Sequence, residues 1–432
     1  MLFRSNRFRM NRANKIARNK RKRKHKHFAP ILTIKSSAES IPRCRAIKIK
    51  RILKKNNFIQ KVKVKERVVL IIPNIFCFIR NYRETISFLK KLNYVLNSKI
   101  VKSIKIDYSD CDFLGLDASV LMDIIVVSCK RLRSSSSSLI LEGNLPKTDE
   151  AKRVLIVSGL VKTLNINDAS SKVLIGSERI DPFDTEMDAN NMTNKVIDYY
   201  DRCLNKNNYQ LTKKGIDKLN ALVGENIDNL EIHSGENGVW FVAGHFDQMV
   251  QGRLGKGSLV LISLGNTFYE SLTDIKSSET NKEKIRRVVK SRIEQGEATE
   301  RIETIWSELA LQYRISRFND TTNPDRGTGT IKMIEGFSVL GKTTRNETPI
   351  MAVTTGKTQI IFDGKYKIER KDVNGSQVPI IAFNKENDLM LPPDEEYVKL
   401  LHEKFPGVII TIEFYVDTEY IERTNIKEGN GK

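Results

Sequence analysis

Leu211-Thr-Lys-Lys-Gly-Ile-Asp-Lys-Leu-Asn-Ala-Leu-Val-Gly-Glu225-Asn-Ile-Asp-Asn229-Leu-Glu-Ile-His233 is the stretch on which the reading of this chain turns. Ile216, Leu219, Val223, Ile227 and Leu230 recur at three- and four-residue steps, the apolar stripe of a helix with one buried face. Glu225, Asn229 and His233 fall on another face at i, i+4 and i+8, with Asp228 beside them. A carboxylate and an amide one turn apart can hold a divalent cation and a water together. The amide oxygen ligates Mg²⁺, and the carboxylate takes a proton from the attacking water. The same residues also make an ordinary polar helix face, so the pattern needs support from elsewhere in the chain.

That support comes further along. Asp325-Arg-Gly-Thr-Gly-Thr330 precedes an apolar-periodic helix marked by Ile331, Ile334 and Phe337. Glycines there let backbone amides turn toward a phosphate, and a helix N-terminus adds a favourable dipole. Between the two segments, the strand Leu259–Ile262 leads into Ser263-Leu-Gly-Asn-Thr267.

This order resembles the GHKL ATPase fold of histidine kinases, gyrase-type topoisomerases, mismatch-repair ATPases and anti-sigma serine kinases. Glu225-Asn-Ile-Asp-Asn229-Leu-Glu-Ile-His233 is similar to that family's N box. The resemblance spans roughly residues 195–417 and implies a Bergerat two-layer α/β sandwich, placed at 211–417. It implies Glu225 as the catalytic general base and Asn229 as the magnesium ligand. Arg326, Gly327, Thr328, Gly329 and Thr330 would be the G-x-G box that holds the phosphates at the end of the ATP lid. Ala352–Phe362 resembles the closing hairpin, where Thr355 would help position the adenine. The box between is normally D-x-G-x-G, and here the chain departs from it. Ser263 stands at the aspartate position, Gly265 is kept, and Thr267 replaces the second glycine, with Asn266 between them. A serine hydroxyl can accept from an amino group but lacks the charge that strengthens the bond, which puts the base identity in question. The stretch Phe268 to Asp325 would be the lid, helical from about Lys282 to Arg317.

The N-terminal half has another texture. Val68–Pro73, Ile100–Asp107, Leu139–Glu142 and Lys172–Gly176 read as strands. They alternate with helices over Ile79–Leu96, Ala118–Leu132 and Thr148–Ser158, and Ser134–Ser138 reads as a loop. Such alternation predicts one α/β layer domain over 68–176. It resembles the STAS fold of bacterial anti-sigma-factor antagonists through Ile106–Ser119. The family's D-S-S/T-G-L switch motif corresponds to Asp112-Phe-Leu-Gly-Leu116. Phe113 and Leu114 replace both hydroxyl residues, so the phospho-switch does not carry over and a docking role is the expectation. Residues 177–210 read as an acidic linker running into a short helix near Lys195–Leu204, and 418–432 as a C-terminal tail.

Charge is unevenly spread. The 432 residues carry a formal +21, yet residues 1–67 hold 24 Lys/Arg against Glu39 and Glu66 alone. The rest is near neutral. The run Arg18–Lys26 would repel itself as a compact element, which predicts an extended arm over 1–67. Such an arm suits phosphate-backbone contact with nucleic acid or the ribosome, though solvated basic tails are common. No apolar run approaches the about 18 residues of a membrane span, and the basic start lacks a signal-peptide core. Five scattered cysteines without CxxC spacing suggest reduced thiols in the cytoplasm.

Two further motifs are weighed and set aside. Gly336-Phe-Ser-Val-Leu-Gly-Lys-Thr343 satisfies the letters of a P-loop, but it continues a helix from Thr330 where a buried strand is required. His245 and Asp247 are i, i+2 on a strand with no nucleophile nearby. The expectation is an α/β and α+β protein: a basic arm, a STAS-like domain and a GHKL-type domain binding ATP and Mg²⁺. The resemblance implies a bacterial or phage-related ATPase whose nucleotide state controls partner binding through the lid or the STAS-like part, with a homodimer possible. The alternatives are a degenerate nucleotide sensor or scaffold recruited to nucleic acid by the arm, and an anti-sigma-type serine/threonine kinase.

Overall fold

Strands alternating with helices build a parallel sheet, and long apolar strands joined by hairpins build an antiparallel one. This chain contains both. The computed structural model describes residues 41–133, 139–164, 166, 179–180, 189–206, 208–233, 238–247, 255–274, 277–315, 329–340, 348–373, 375–415 and 420–424.

The first described element is helix α1 (Arg43–Lys55), which buries Ala46, Ile49, Ile52 and Leu53 and turns Lys50, Arg51, Lys54 and Lys55 outward. The arm expected to stay extended through residue 67 is therefore helical over these thirteen residues. Apolar groups at helical spacing outweigh the charge repulsion, because burying three such side chains contributes several kcal/mol, about 1.5–3 kcal/mol each. The charge run Arg18–Lys26 lies outside the described residues.

Strands β1 (Arg67–Ile71) and β2 (Ile75–Phe76), helix α2 (Tyr82–Asn97), strands β3 (Ser103–Asp107) and β4 (Phe113–Leu114), and helix α3 (Leu116–Leu132) follow. Strand β5 (Ile140–Gly143) and helices α4 (Asp149–Val157) and α5 (Leu160–Thr163) close this part. The sheet is parallel in the order β1-β3-β5, with Val69 opposite Lys105 and Lys105 opposite Glu142. Asn81 caps α2 by accepting from Glu84 N–H, and Thr148 caps α4 by accepting from Ala151 N–H. Every residue of α3 from Leu116 to Ser128 is buried. The strand expected at Lys172–Gly176 and the loop at Ser134–Ser138 lie outside the described residues.

The second part runs β6 (Arg179–Ile180), α6 (Ala189–Asn205), β7 (Tyr209–Leu211), α7 (Lys213–His233), β8 (Val239–Asp247), β9 (Lys256–Leu264) and α8 (Phe268–Thr273). Helices α9 (Glu279–Glu294), α10 (Ile302–Leu309) and α11 (Gly329–Leu340) come next. Strands β10 (Ile350–Phe362), β11 (Glu369–Val373), β12 (Ser376–Ile380), β13 (Val398–Tyr415) and β14 (Ile421–Arg423) complete it. The main sheet is antiparallel in the order β10-β13-β9-β8-β6.

Alternation along β9 explains what covers each face. Leu259 and Leu261 join one core with α6, α7 and α11, whereas Val260, Ile262 and Leu264 join the core of the parallel part with α2 and α3. The antiparallel sheet is thus buried on both faces, and its back is continuous with the core of the parallel part. Polar contacts tie that seam: Tyr82 O–H donates to Glu403 O at 2.7 Å, and Gln359 Nε2 donates to Phe78 O at 3.0 Å. Lys90 pairs with Glu403 there, and Arg45 donates to Trp240 O and lies 4.4 Å from the Phe241 ring centroid. The chain is a mixed α/β protein, and no described helix is long and apolar enough to cross a membrane.

The single helix expected over Lys282–Arg317 is two. Gly296, at φ +94°, ends α9, since the left-handed region terminates a helix at little cost only for glycine. Arg292, with no exposed surface, then reaches Glu308 of α10 at 2.6 and 3.1 Å and Leu389 O at 2.8 Å. Arg301 bonds Glu297 at 2.9 Å and Val398 O at 2.7 Å. The helical part of the expected lid is bolted to the segment leading into β13.

Candidate functional site

Helices α7 and α11 pack directly on one another. Gly329, the first residue of α11, lies so close to Glu225 that a Cβ built on it would sit 2.1 Å from Oε1 and 2.7 Å from Cδ. Gly336, two turns on, meets Leu222 at an ordinary 3.5 Å. The glycine at 329 therefore exists for the approach of the Glu225 carboxylate. Lys332 follows on the same side of α11, one turn from Gly329.

Glu225 is half-buried, and burial raises its pKa above the ordinary carboxylate range. The cation of Lys332 opposes that rise and Asp228 adds to it. A raised pKa suits a carboxylate that must accept a proton near neutral pH. Asn229, also half-buried, stands one turn further along the same face. The side chain of His233 lies outside the described residues, as do Arg326, Gly327 and Thr328. Of the expected G-x-G box, Gly329 and Thr330 are placed, buried and half-buried respectively, at the start of α11.

Sheet register brings a second group together. Thr355 on β10 pairs with Val408 on β13, Val408 with Ser263 on β9, and Ser263 with Trp240 on β8. Alternation puts Thr355 and Ser263 on the face that carries α7 and α11, two strand spacings apart, or about 10 Å. Both are essentially buried. Thr355 Oγ1 accepts from Phe268 N–H at 3.0 Å. Gly265 N–H donates to Pro406 O at 3.1 Å, and Asn266 is half-buried at the tip. Thr267 caps α8 in a capping box, accepting from Glu270 N–H at 3.1 Å while its own N–H donates to Glu270 Oε2 at 2.9 Å. Thr267 therefore has a helix-starting role that explains why a hydroxyl, and not a second glycine, stands there.

Three supporting positions escaped the sequence reading. Gly356, at φ +54°, leaves no room for a Cβ, which would fall 1.9 Å from Glu303 Oε1, and Glu303 accepts from Lys357 N–H at 2.8 Å. A Cβ at Gly407, at φ +141°, would fall 2.0 Å from Ser263 O. An isolated glycine inside a strand pattern is the signal for such a bulge, and β10 and β13 indeed shift register at Gly356. Lys332 carried no spacing signal at all, because it matters only through the crossing of two helices.

The set-aside motifs lie elsewhere. Gly336 is inside α11, so the P-loop letters start within a helix; Lys342 and Thr343 are outside the described residues. His245 is buried on the opposite sheet face from Glu225, beside Lys256, Glu413 and Arg153 in a small cleft of about 40 Å³. The turn Phe113–Leu116 forms the other wall of that cleft, so this turn faces the antiparallel sheet of its own chain. Asp117, one residue on, accepts from Phe78 N–H, Ala118 N–H and Thr411 O–H. A docking role for this turn cannot use α3, which is covered along nearly its whole length. No three His, Cys, Asp or Glu side chains converge as a metal-ligand group among the described residues.

No protein-family model, curated protein or solved structure matches the chain.

Proposed function

We propose that the chain binds a nucleoside triphosphate between α7 and the start of α11 and hydrolyses it with Glu225 as general base, as a GHKL-type ATPase layer backed by a STAS-like layer. The contact of the Glu225 carboxylate with the Cα of Gly329 carries this reading. It sets a half-buried carboxylate, whose pKa burial raises, against the glycine that closes the expected phosphate-binding box. Asn229 is the side chain that would hold Mg²⁺, which supplies charge neutralisation on the phosphates when bound. Regulation of a protein partner by nucleotide state in the cytoplasm, and recruitment to nucleic acid through the basic arm, belong to the same proposal.

The test is ATP turnover with Mg²⁺ alongside equilibrium binding of ATP and ADP. Glu225→Ala should abolish turnover while binding remains within a few-fold. Full turnover in that variant would sink the base assignment. A second reading has one observation in its favour: Ser263 brings no charge to the base end of the site. Clear ATP binding with no turnover in the wild type would make the chain a nucleotide sensor. Phosphate transfer to an added protein hydroxyl would make it a kinase.

A further inference from the structure

The three-stranded parallel sheet has one covered face and one open one. Leu70, Ile104, Ile106 and Leu141 point into the core with α3, whereas Val69 and Ile71 on β1 and Ile140 on β5 point the other way and are 59%, 64% and 53% exposed. An all-parallel sheet ordinarily carries helices on both faces. Here both crossovers, β1-α2-β3 and β3-α3-β5, step the same way across the sheet, and their shared right hand sends both helices to one side. Val69, Ile71 and Ile140 are left uncovered among the described residues.

This open face is basic as well as apolar. Lys105 stands in its middle, in one row between Val69 and Glu142. Ahead of β1 exposure alternates: Val62 and Val64 pack on the core, while Lys61, Lys63 and Lys65 are exposed and Arg67 continues their line. Against these five cations the same face sets only Glu142 and the half-buried Asp107. An apolar centre rimmed by cations is complementary to an apolar stripe rimmed by carboxylates. Three strands span about 10 Å, close to the width of one α-helix. A second copy of the face would set like charges together, and the chain's own residues 1–27, with twelve Lys/Arg and no acid, carry the same sign. Nucleic acid would match the charge, but valine and isoleucine stand here where base stacking needs aromatic rings.

We propose that this face docks an acidic, amphipathic α-helix of a partner protein, which completes the missing layer of the sheet. Val69, Ile71 and Ile140 meet its apolar stripe, and Lys105 with the line from Lys61 to Arg67 pairs with carboxylates on its flanks. The inference rests on the partner-binding half of the proposal above and needs no nucleotide.

Fluorescence anisotropy of the full chain, without nucleotide, against labelled helical peptides of about 18 residues tests it. One peptide carries leucine at i, i+3, i+4 and i+7 with glutamates flanking the stripe. A second has lysines in place of the glutamates, and a third keeps the first composition with its leucines scattered round the helix. The first should bind at least about tenfold more tightly than either of the others. Val69→Thr/Ile71→Thr, β-branched like the wild type and checked by thermal melt, should weaken it by about tenfold. Lys63→Glu/Lys105→Glu should weaken it as much and shift the preference toward the basic peptide. No binding of the first peptide, or equal binding of the first and third, overturns the inference. Binding that neither variant moves also overturns it and leaves a partner docked elsewhere. A dimer in light scattering that Val69→Thr/Ile71→Thr breaks would make the occupant a second copy, and single-stranded oligonucleotide binding lost in the same variant would make it nucleic acid; either result overturns the proposal. Failure of ATP binding or turnover changes none of these readouts.

Discussion

The Glu225 carboxylate packs onto the Cα of Gly329 so closely that no side chain fits between α7 and α11 at that point. Gly329→Ala must turn the Glu225 carboxylate away, and because that group ends a flexible, half-buried side chain the loss of stability should stay at about 1 kcal/mol. Gly336→Ala, facing Leu222 at 3.5 Å, should be neutral or stabilise by up to about 1 kcal/mol through helix propensity. Urea denaturation of the two variants gives the contrast. The double variant Glu225→Ala/Gly329→Ala should recover most of the loss, since it removes the colliding group; additive losses would mean the contact is not what costs.

Lys332 should set the pH at which Glu225 works. Its cation holds the Glu225 pKa down against burial and Asp228. In Lys332→Met that restraint is gone, so the acidic limb of the turnover–pH profile should move to higher pH. Turnover falls as pH drops through the pKa of the base, and a raised pKa brings that fall on earlier. A limb that stays in place would remove Lys332 from the site.

Asp117 makes the seam between the two sheets pH-sensitive. Burial, the largest effect, with Glu413 adding to it, pushes its carboxyl from 3.8 up to about 6, against the bonds from Ala118 and Phe78 N–H and Thr411 O–H. A folded-state pKa above the unfolded value means the folded chain holds the proton more tightly. Stability from this group is therefore lost as pH rises from about 4 through about 6, by about 3 kcal/mol in all. Asp117→Asn should lack that component. The difference in unfolding free energy between wild type and variant, measured at pH 4 and pH 7, isolates it, and a constant difference would contradict the shift.

How much of this was readable in advance depends on the range of the interaction. Part of both halves follows from periodicity within windows of ten to twenty residues: α2, α3, α7, β9 and β10 begin or end within a few residues of their expected places, whereas the long strand β13 and the hairpin β11–β12 were not anticipated. Glu225 and Ser263 are visible as spacing and as a departure from a motif. Three things were not readable, because each depends on a partner distant in sequence. They are the approach of Gly329 to Glu225, the row Thr355–Val408–Ser263, and the shared core behind the antiparallel sheet. Local features were also passed over: flanking apolar periodicity outweighed the break at Gly296, and the basic charge of the arm outweighed the apolar spacing of α1.

The Arg292–Glu308 pair should be a structural bolt of α9 and α10. Both side chains are fully buried. Breaking the pair with Arg292→Met leaves a carboxylate unmatched and should cost about 3–5 kcal/mol, whereas Arg292→Met/Glu308→Leu should be far closer to wild type. Chemical denaturation of the three proteins decides it; equal losses in single and double variants would show that the backbone contact to Leu389 O matters more than the ion pair.

The N-terminus should divide into a charge-bearing tail and a folding element. Residues 1–27 hold twelve Lys/Arg and no acid, whereas α1 buries Ile49, Ile52 and Leu53 in the core it shares with α3. Deleting 1–27 should leave the unfolding midpoint nearly unchanged and remove salt-sensitive binding to RNA or DNA, because that binding scales with the phosphates neutralised. Deleting 1–55 should lower stability by several kcal/mol, about 1.5–3 kcal/mol for each large apolar group withdrawn, and expose the apolar surface it covered. Binding isotherms at two salt concentrations and a denaturation curve for each truncation separate the two roles. Retained binding with its salt dependence after removal of 1–27 would place any nucleic-acid contact on the outward lysines and arginines of α1 instead.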